Sequence, residues 1–145
     1  MQAKNVEKHA KNLKNFGGIF SVGQLKNVKI ISYPVSLIIY DTGHWLSAYL
    51  TNDTVELMDS SGYLNAHRLN QSLINLLCCQ SFHKKFFATP KLQPTNSVHC
   101  AKFALSFLFY RTFTDRSLCS FCKLFDGNLN LNIKIISEIF DCITK

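Results

Sequence analysis

No stretch of this 145-residue sequence is apolar over the roughly 18 residues that a membrane span needs. The densest apolar run, at 103–110, is flanked by the charges of Lys102 and Arg111. The first sixteen residues carry scattered lysines and no continuous apolar core, so they do not resemble a secretory signal. We therefore expect a soluble cytoplasmic or nuclear protein without membrane contact, whose six cysteines stay mostly reduced.

Acidic residues are few, because nine Asp and Glu stand against sixteen Lys and Arg, for a net charge of +7. That balance favours polyanionic partners such as nucleic acid, although a merely solubilising surface explains it equally well. The sequence also lacks internal repeats and low-complexity linkers, while 47% of its residues are hydrophobic. These features are typical of one globular domain over residues 1–145 rather than of a disordered chain.

The spacing of apolar residues predicts helices at 3–15, 66–79, 99–111 and 132–145. The helix at 99–111 is apolar on most faces, which favours a central position. The first helix is predicted to end at Gly17 and Gly18. One of its faces carries Lys4, Lys8, Lys11 and Lys14.

Apolar and β-branched segments predict strands at 35–41, 44–51, 54–60 and 84–92. A polar pair at 52–53 joins the second and third strands into a hairpin, and Pro90 confines the last strand to an edge or an end. Strands lying between helices without regular βαβ alternation predict an α+β fold.

Two side chains of the predicted hairpin have the chemistry of a catalytic pair. His44 opens one strand and Asp59 ends the next, and antiparallel neighbours bring such positions to the same end. A carboxylate there can accept from one ring nitrogen and fix the tautomer of the imidazole. Each residue alone is more commonly structural, since a histidine at a strand start is usually half-buried and Asp59 could simply cap a turn.

Cys100 lies near the start of the central helix, with Asn96 and Ser97 available as capping residues. A helix N-terminus and a nearby histidine both lower the pKa of a thiol, which activates it for acyl transfer. Gln93 could donate to a developing oxyanion together with the backbone N–H of Cys100. The simpler alternatives are a buried structural cysteine and an exposed loop glutamine.

Three blocks in order, GHW (43–45), MDSSG (58–62) and QPTNSVHC (93–100), resemble the signatures of the adenovirus-type processing proteases, the adenain family of cysteine endopeptidases. The segment GGIFSVGQL (17–25) is similar to the N-terminal region of such viral enzymes. The likeness to the wider clan that includes the SUMO- and NEDD8-specific proteases is weaker. In that clan the order is also histidine, acid, glutamine and cysteine.

The resemblance implies that Cys100 is the nucleophile, His44 the general base and acid, Asp59 its orienting group and Gln93 the oxyanion donor. It implies a small antiparallel or mixed sheet packed on a central helix that carries the cysteine. Trp45 follows the histidine in the family too, where its ring would shield the imidazole or contact substrate.

The sequence departs from the family pattern at two positions. Ala101 follows the nucleophile where the family usually has glycine. The acid is Asp59, as in the SUMO-protease branch, where adenovirus enzymes carry glutamate. Asp41 is a second, less favoured candidate to orient His44.

The resemblance also implies partners. Adenovirus proteases cleave virion precursors and are stimulated by DNA and by a disulfide-linked peptide. We therefore expect polypeptide substrates such as capsid or core precursors, and no obligatory cofactor. We also expect a monomer located in the nucleus or cytoplasm of the infected cell and in the virion. The lysine face of the first helix is the candidate DNA contact. No cysteine matches the position that the family links to its peptide.

Three alternatives remain open. The first is a protease for ubiquitin-like modifiers, and the second is a basic nucleic-acid-binding protein built on a decayed protease. The third is a zinc site on the Cys119-x-x-Cys122 pair. Its further ligands would come from Cys78, Cys79, His83 or Cys142, which do not form a second well-spaced pair.

Overall fold

A computed structural model describes residues 1–30, 32–62 and 85–145. Its helices are α1 (Ala3–Ala10), α2 (Cys100–Thr114), α3 (Leu118–Cys122) and α4 (Leu129–Ile143), and a 3-10 helix covers Val22–Asn27. Its strands are β1 (Phe16–Ser21), β2 (Val35–Asp41), β3 (His44–Leu50), β4 (Thr54–Met58) and β5 (Lys85–Ala88). The helix predicted at 66–79 lies outside the described residues.

The five strands form one mixed sheet in the order β1-β2-β3-β4-β5, which confirms the α+β prediction. Strands β2, β3 and β4 are antiparallel, and the outer strands β1 and β5 run parallel to their neighbours. Thr42 and Gly43 join β2 to β3 with φ angles of 44° and 83°, as a tight primed turn requires. Among the described strands β5 lies at the edge of the sheet, as predicted, but it covers only Lys85–Ala88 rather than 84–92 and ends two residues before Pro90.

Each face of the sheet buries a separate apolar cluster, because side chains alternate along a strand. Helix α2 lies against β3 on one face, where Ser47 Oγ donates to Ala104 O at 2.8 Å. Phe103 and Phe107 of α2 are fully buried there, and burying such a side chain contributes roughly 1.5–3 kcal/mol. The opposite face is closed by Leu25 of the 3-10 helix. The central position predicted for α2 is thereby confirmed.

The prediction that the first helix runs over 3–15 and ends at Gly17 and Gly18 is wrong. Helix α1 stops at Ala10, and both glycines belong to β1. The chain turns at Asn15, whose φ is 63° and whose carbonyl accepts from Ser36 N at 2.9 Å. That bond starts the parallel pairing of β1 with β2. The local sequence pattern does not predict this pairing.

Helix α4 begins three residues earlier than predicted. Asn128 caps it, since its side chain accepts from the backbone N–H groups of Asn130 and Leu131. None of the helices in the described part of the chain is long and apolar enough to cross a bilayer.

Candidate active site

His44 and Asp59 meet at the end of the β3–β4 hairpin. His44 is the first residue of β3, Asp59 follows the last residue of β4, and Nε2 of the ring lies 2.9 Å from Oδ1 of the carboxylate. The Asp59 side chain is fully buried, whereas that of His44 is 25% exposed. Because Nε2–H donates to Asp59, Nδ1 is the ring nitrogen left to exchange a proton with another group.

That other group is the thiol of Cys100. Cys100 is the first residue of α2, it is buried, and the His44 side chain lowers the pKa of its thiol. The backbone N–H of Trp45 also donates to Cys100 Sγ, at 3.4 Å. Strand β3 thus supplies both a ring nitrogen and a backbone donor to the sulfur at the start of α2.

Electrostatics favour a charged pair between Cys100 and His44. Burial alone would raise the pKa of the thiol, but the hydrogen bonds from His44 and Trp45, the charge of His44 and the N–H of Ala101 lower it overall. Burial alone would lower the pKa of His44, but the hydrogen bonds and charges of Asp59 and Cys100 raise it to about 9. The site is therefore poised to hold a thiolate beside an imidazolium.

Asp59 stays ionised despite its burial. Desolvation would raise the pKa of its carboxyl, but the hydrogen bonds from His44 and Ser61 and the charge of His44 lower it overall. An ionised Asp59 keeps its role as acceptor from the imidazole.

Ser61 is a member of this cluster that the sequence did not identify. Its backbone N–H and its hydroxyl both donate to Asp59 Oδ1, at 3.1 and 2.7 Å, and its Oγ lies 3.2 Å from His44 Nε2. With its proton directed to Asp59, the hydroxyl oxygen can accept part of the Nε2–H bond. The signal was present in MDSSG, since a serine two residues after an aspartate often bonds back to it.

Gln93 reaches the site on a segment that we call the Gln93 arm (residues 89–97). The arm docks on the turn at 59–62: Thr89 Oγ1 accepts from Asp59 N at 2.9 Å, and Gln93 N donates to Ser60 O at 3.1 Å. Gly62 permits this approach, because a Cβ there would lie 3.3 Å from Lys91 N, and its φ of 94° favours glycine.

The Gln93 side chain is buried and its Oε1 makes no hydrogen bond to any described residue. That oxygen is an acceptor, whereas the donor that an oxyanion would need is Nε2 of the same amide. The first residue of a helix has no carbonyl one turn back to accept from its N–H. The Cys100 N–H therefore has no helical acceptor and can serve as a second donor.

Two clefts share Gly43, the residue before His44. A polar cleft of about 400 Å³ is lined by His44, Ser61, Lys91, Gln93, Thr95 and Ser97. A more apolar cleft of about 460 Å³ is lined by Ile19, Tyr40 and Trp45. The Trp45 ring is 5% exposed, packs 4.8 Å from the ring of Tyr40, and donates through Nε1 to Met1 O at 3.2 Å.

The predicted cap of α2 is wrong. The N-cap residue is His99, without a side-chain capping bond, and Asn96 lies in a left-handed turn at φ 63°. Ser97 Oγ accepts from His99 N at 3.3 Å, so it orders the approach to the helix rather than its first turn.

Asp41, the second candidate to orient the histidine, faces His44 across the β2–β3 ladder, but Nε2 of the ring bonds to Asp59.

Three of the four candidate DNA-binding lysines lie together. Lys4, Lys8 and Lys11 line one concave surface near Phe16. Lys14 is exposed beyond the end of α1 and does not line that surface, because the helix is shorter than predicted.

Cys119 and Cys122 lie on α3, beside Phe87 and Pro90. Burial, followed by the neighbouring Cys119 and Glu56, raises the pKa of Cys122 to about 11, which disfavours the thiolate that a metal needs. No cluster of three or more metal-ligating side chains occurs in the described ranges. Cys78, Cys79 and His83 lie outside them.

No family model and no curated protein matches this sequence, but solved structures do. The central domain of the Lpg1148 protein from Legionella pneumophila matches with a TM-score of 0.57 and 14% identity over 99% of this chain and 98% of that one. The SUMO protease Ulp1, with its catalytic cysteine oxidised to a sulfinic acid, matches with a TM-score of 0.55 and 15% identity over 100% of this chain and 79% of that one. This chain shares its α+β fold with that SUMO protease structure.

AvrA delL154 with IP6 and CoA also matches, with a TM-score of 0.52 and 14% identity over 89% of this chain and 52% of that one. At such identities the likeness establishes the fold alone. The arrangement of His44, Asp59, Gln93 and Cys100 therefore has to be judged on its own geometry and chemistry.

Proposed function

We propose that this chain is a cysteine endopeptidase in which Cys100 attacks the carbonyl carbon of a peptide bond. The observation that carries the proposal is the hydrogen bond between His44 and Asp59 at 2.9 Å, together with the lowered pKa of the Cys100 thiol and the raised pKa of the His44 imidazole. A buried structural cysteine would have the opposite shift, since burial alone raises the pKa of a thiol.

The reaction follows from these groups. The Cys100 thiolate adds to the carbonyl carbon, and the oxyanion that forms accepts from the Gln93 amide and the Cys100 N–H. His44 gives its Nδ1 proton to the leaving amine as the C–N bond breaks, which leaves an acyl-enzyme. Neutral His44 then takes a proton from water, the hydroxide adds to the thioester, and the thiolate leaves as the acid product is released.

The two clefts support an internal cleavage site. The two clefts share Gly43, the residue before His44, so an extended polypeptide that occupied both would pass beside the His44–Asp59 pair with residues in each cleft. The apolar cleft beside Trp45 and Tyr40 would accept apolar side chains. The polar cleft would take polar or acidic ones near Lys91.

Ala101 is 1% exposed and belongs to the core cluster under the sheet. Its methyl group is accommodated by core packing, so alanine at this position is compatible with the proposed chemistry.

For the substrates we propose virion precursor polypeptides, on the basis of the three sequence blocks similar to adenovirus-type proteases. The second candidate is a precursor or conjugate of a ubiquitin-like modifier. Asp59 as the acid, in place of glutamate, and the fold shared with a SUMO protease support it.

The test compares two covalent probes of Cys100: an extended peptide ending in an electrophile, and a folded ubiquitin-like modifier carrying the same group. We expect the peptide probe to label Cys100 selectively, Cys100→Ser and His44→Ala to abolish labelling, and unfolded polypeptides to be cut internally. Faster labelling by the modifier would favour the second candidate. Labelling spread over several cysteines, or unchanged by His44→Ala, would contradict a peptidase of either kind.

We further propose DNA as a stimulating partner that contacts Lys4, Lys8 and Lys11, with Lys14 as a more distant contributor. Neutralising phosphates releases counterions, so affinity should fall as salt rises. Charge reversal at the first three lysines should weaken binding more than reversal at Lys14 alone, as measured by titration with duplex DNA. Equal effects, or no binding at low salt, would contradict this contact. Stimulation by an activating peptide is a separate question, which is tested by measuring the cleavage rate with and without an added cysteine-containing peptide.

A further inference from the structure

The first turn of α4 carries a fully buried polar side chain, Asn132. Its Nδ2 donates to Leu92 O at 3.0 Å and to Asp126 O at 2.8 Å, and its Oδ1 accepts from Asp126 N at 2.7 Å. A buried asparagine amide costs free energy unless such bonds are made, and here they tie α4 to the Gln93 arm.

The bond to Leu92 O acts on the peptide group that precedes Gln93. That group is a rigid plane whose oxygen is Leu92 O and whose nitrogen is Gln93 N. Asn132 holds the oxygen, and Ser60 O accepts from the nitrogen at 3.1 Å. The plane is thus held at both ends, from α4 on one side and from the turn that follows Asp59 on the other.

The direction of the Gln93 side chain depends on these two hydrogen bonds to the Leu92–Gln93 peptide group. Its Oε1 has no hydrogen bond to a described residue, so the side chain's polar end is not anchored there. Its direction is set by its burial and by the backbone from which it starts. A small rotation of the Leu92–Gln93 plane would therefore move the amide away from the oxyanion.

We infer that Asn132 is a positioning residue that aims the Gln93 amide at the oxyanion, an inference that rests on the proposed peptidase function. Asn132 contacts neither substrate nor sulfur, and it acts through the Leu92–Gln93 peptide plane. Its loss lowers acylation of Cys100 while leaving the reactivity of the thiolate intact.

The experiment measures two reactions of the same sulfur. Acylation by p-nitrophenyl acetate develops an oxyanion and needs Gln93, whereas alkylation by iodoacetamide forms no oxyanion. Asn132→Ala is expected to slow the acylation burst about tenfold or more and to change the alkylation rate less than about twofold. In a Gln93→Ala background the same substitution is expected to have little further effect on acylation, because coupled residues are not additive.

Asn128→Ala is the matched control. It removes the cap of α4 without touching Leu92, so it should lower the Tm and leave the ratio of acylation to alkylation unchanged. Asn132→Ser keeps a shorter polar group at the position and replaces Asn132→Ala if the alanine variant does not fold.

Parallel losses of acylation and alkylation, or equal losses with and without Gln93, would overturn the inference while leaving the peptidase function in place. A wild-type protein that alkylates but shows no acylation burst would instead contradict the peptidase function, and this inference with it.

Discussion

Helix α2 meets the sheet through a polar cluster at each of its ends, and the two clusters differ in how completely they are paired. At the C-terminal end Arg111 Nε donates to Glu56 Oε1 at 2.7 Å, and Leu118 N donates to Glu56 Oε2 at 2.6 Å. At the N-terminal end Cys100 meets His44 and Asp59. Both acids come from β4 or the residue after it, so the same helix and strand carry both clusters.

The Glu56 carboxylate has a protein donor on each oxygen, and the Arg111 guanidinium also lies over the Tyr49 ring at 4.5 Å. Near Cys100, by contrast, buried polar atoms of Asp59, Ser60, Gln93 and His99 have no partner among the described residues, and the hydroxyls of Ser36 and Ser106 elsewhere are also unpaired. Unpaired buried groups are costly, and a cluster of them is a candidate for chemistry. The comparison is therefore between a fully paired ion pair and an incompletely paired candidate site.

The largest expected effect is at the reactive cluster. Asp59→Asn keeps the shape of the side chain but removes the charge that orients and stabilises the imidazolium, so kcat/KM should fall on the order of 10⁴-fold. Steady-state cleavage of a peptide substrate measures it. Asp41→Asn is the control on the opposite side of His44 and should retain most of the activity. A comparable loss of kcat/KM in both variants would contradict the assignment of Asp59, rather than Asp41, as the acid that orients His44.

At the Arg111–Glu56 ion pair we expect a loss of stability without a loss of activity. Arg111→Met leaves Glu56 buried without its ionic partner, which should lower the free energy of unfolding by about 3–5 kcal/mol, while kcat/KM of the folded fraction stays near that of the wild type. Urea unfolding measures the loss. Asp115→Asn removes only the exposed contact of the same arginine and should change stability little. A lower kcat/KM without a loss of stability in Arg111→Met would contradict a purely structural role for the Arg111–Glu56 pair.

Gln93→Ala tests whether the Gln93 amide donates to the oxyanion. Losing one oxyanion donor should lower kcat by about 10²–10³-fold, with the alkylation rate of Cys100 unchanged. Gln93→Glu has nearly the same shape but replaces the donor with a carboxylate, so it should be at least as inactive. Full activity in either variant would assign Gln93 to packing alone.

The smallest expected effect is at Ser61, which supports the pair rather than reacting. Ser61→Ala removes one hydrogen bond to Asp59, so kcat should fall by up to about tenfold, with KM unchanged. Ser61→Thr keeps the hydroxyl and should recover most of the rate. Equal losses in the alanine and threonine variants would indicate a packing defect instead.

The parts of the fold that sequence predicted are those with a local signature. The hairpin and β2 were predicted from β-branched runs and a polar turn, and α2 from its apolar pattern, so the end of the hairpin at which His44 and Asp59 meet could be inferred. The early end of α1 could not, because it depends on Asn15 bonding to a strand twenty residues away.

The site was predicted less completely than the fold around it. Residue type and order indicated the four main candidates, but the roles of Ser61 and Asn132 depend on which oxygen lies within 3 Å of which nitrogen. The spacing of Ser61 from Asp59 indicates a local bond to the carboxylate but not the contact with His44, and asparagine is too common at helix starts to indicate the role of Asn132. The paired state of Glu56 likewise requires α2 and β4 to be in place.

The central claim is that Cys100 and His44 form a thiolate–imidazolium pair, and the pH dependence of Cys100 alkylation tests it most directly. The pKa of the thiol is lowered and that of His44 is raised to about 9, so the thiolate should appear as pH rises through a midpoint below the ordinary thiol value of about 8.5. The His44→Ala variant should shift that midpoint upward, since burial then acts unopposed. A wild-type midpoint at or above about 8.5, or one unmoved by His44→Ala, would contradict the account.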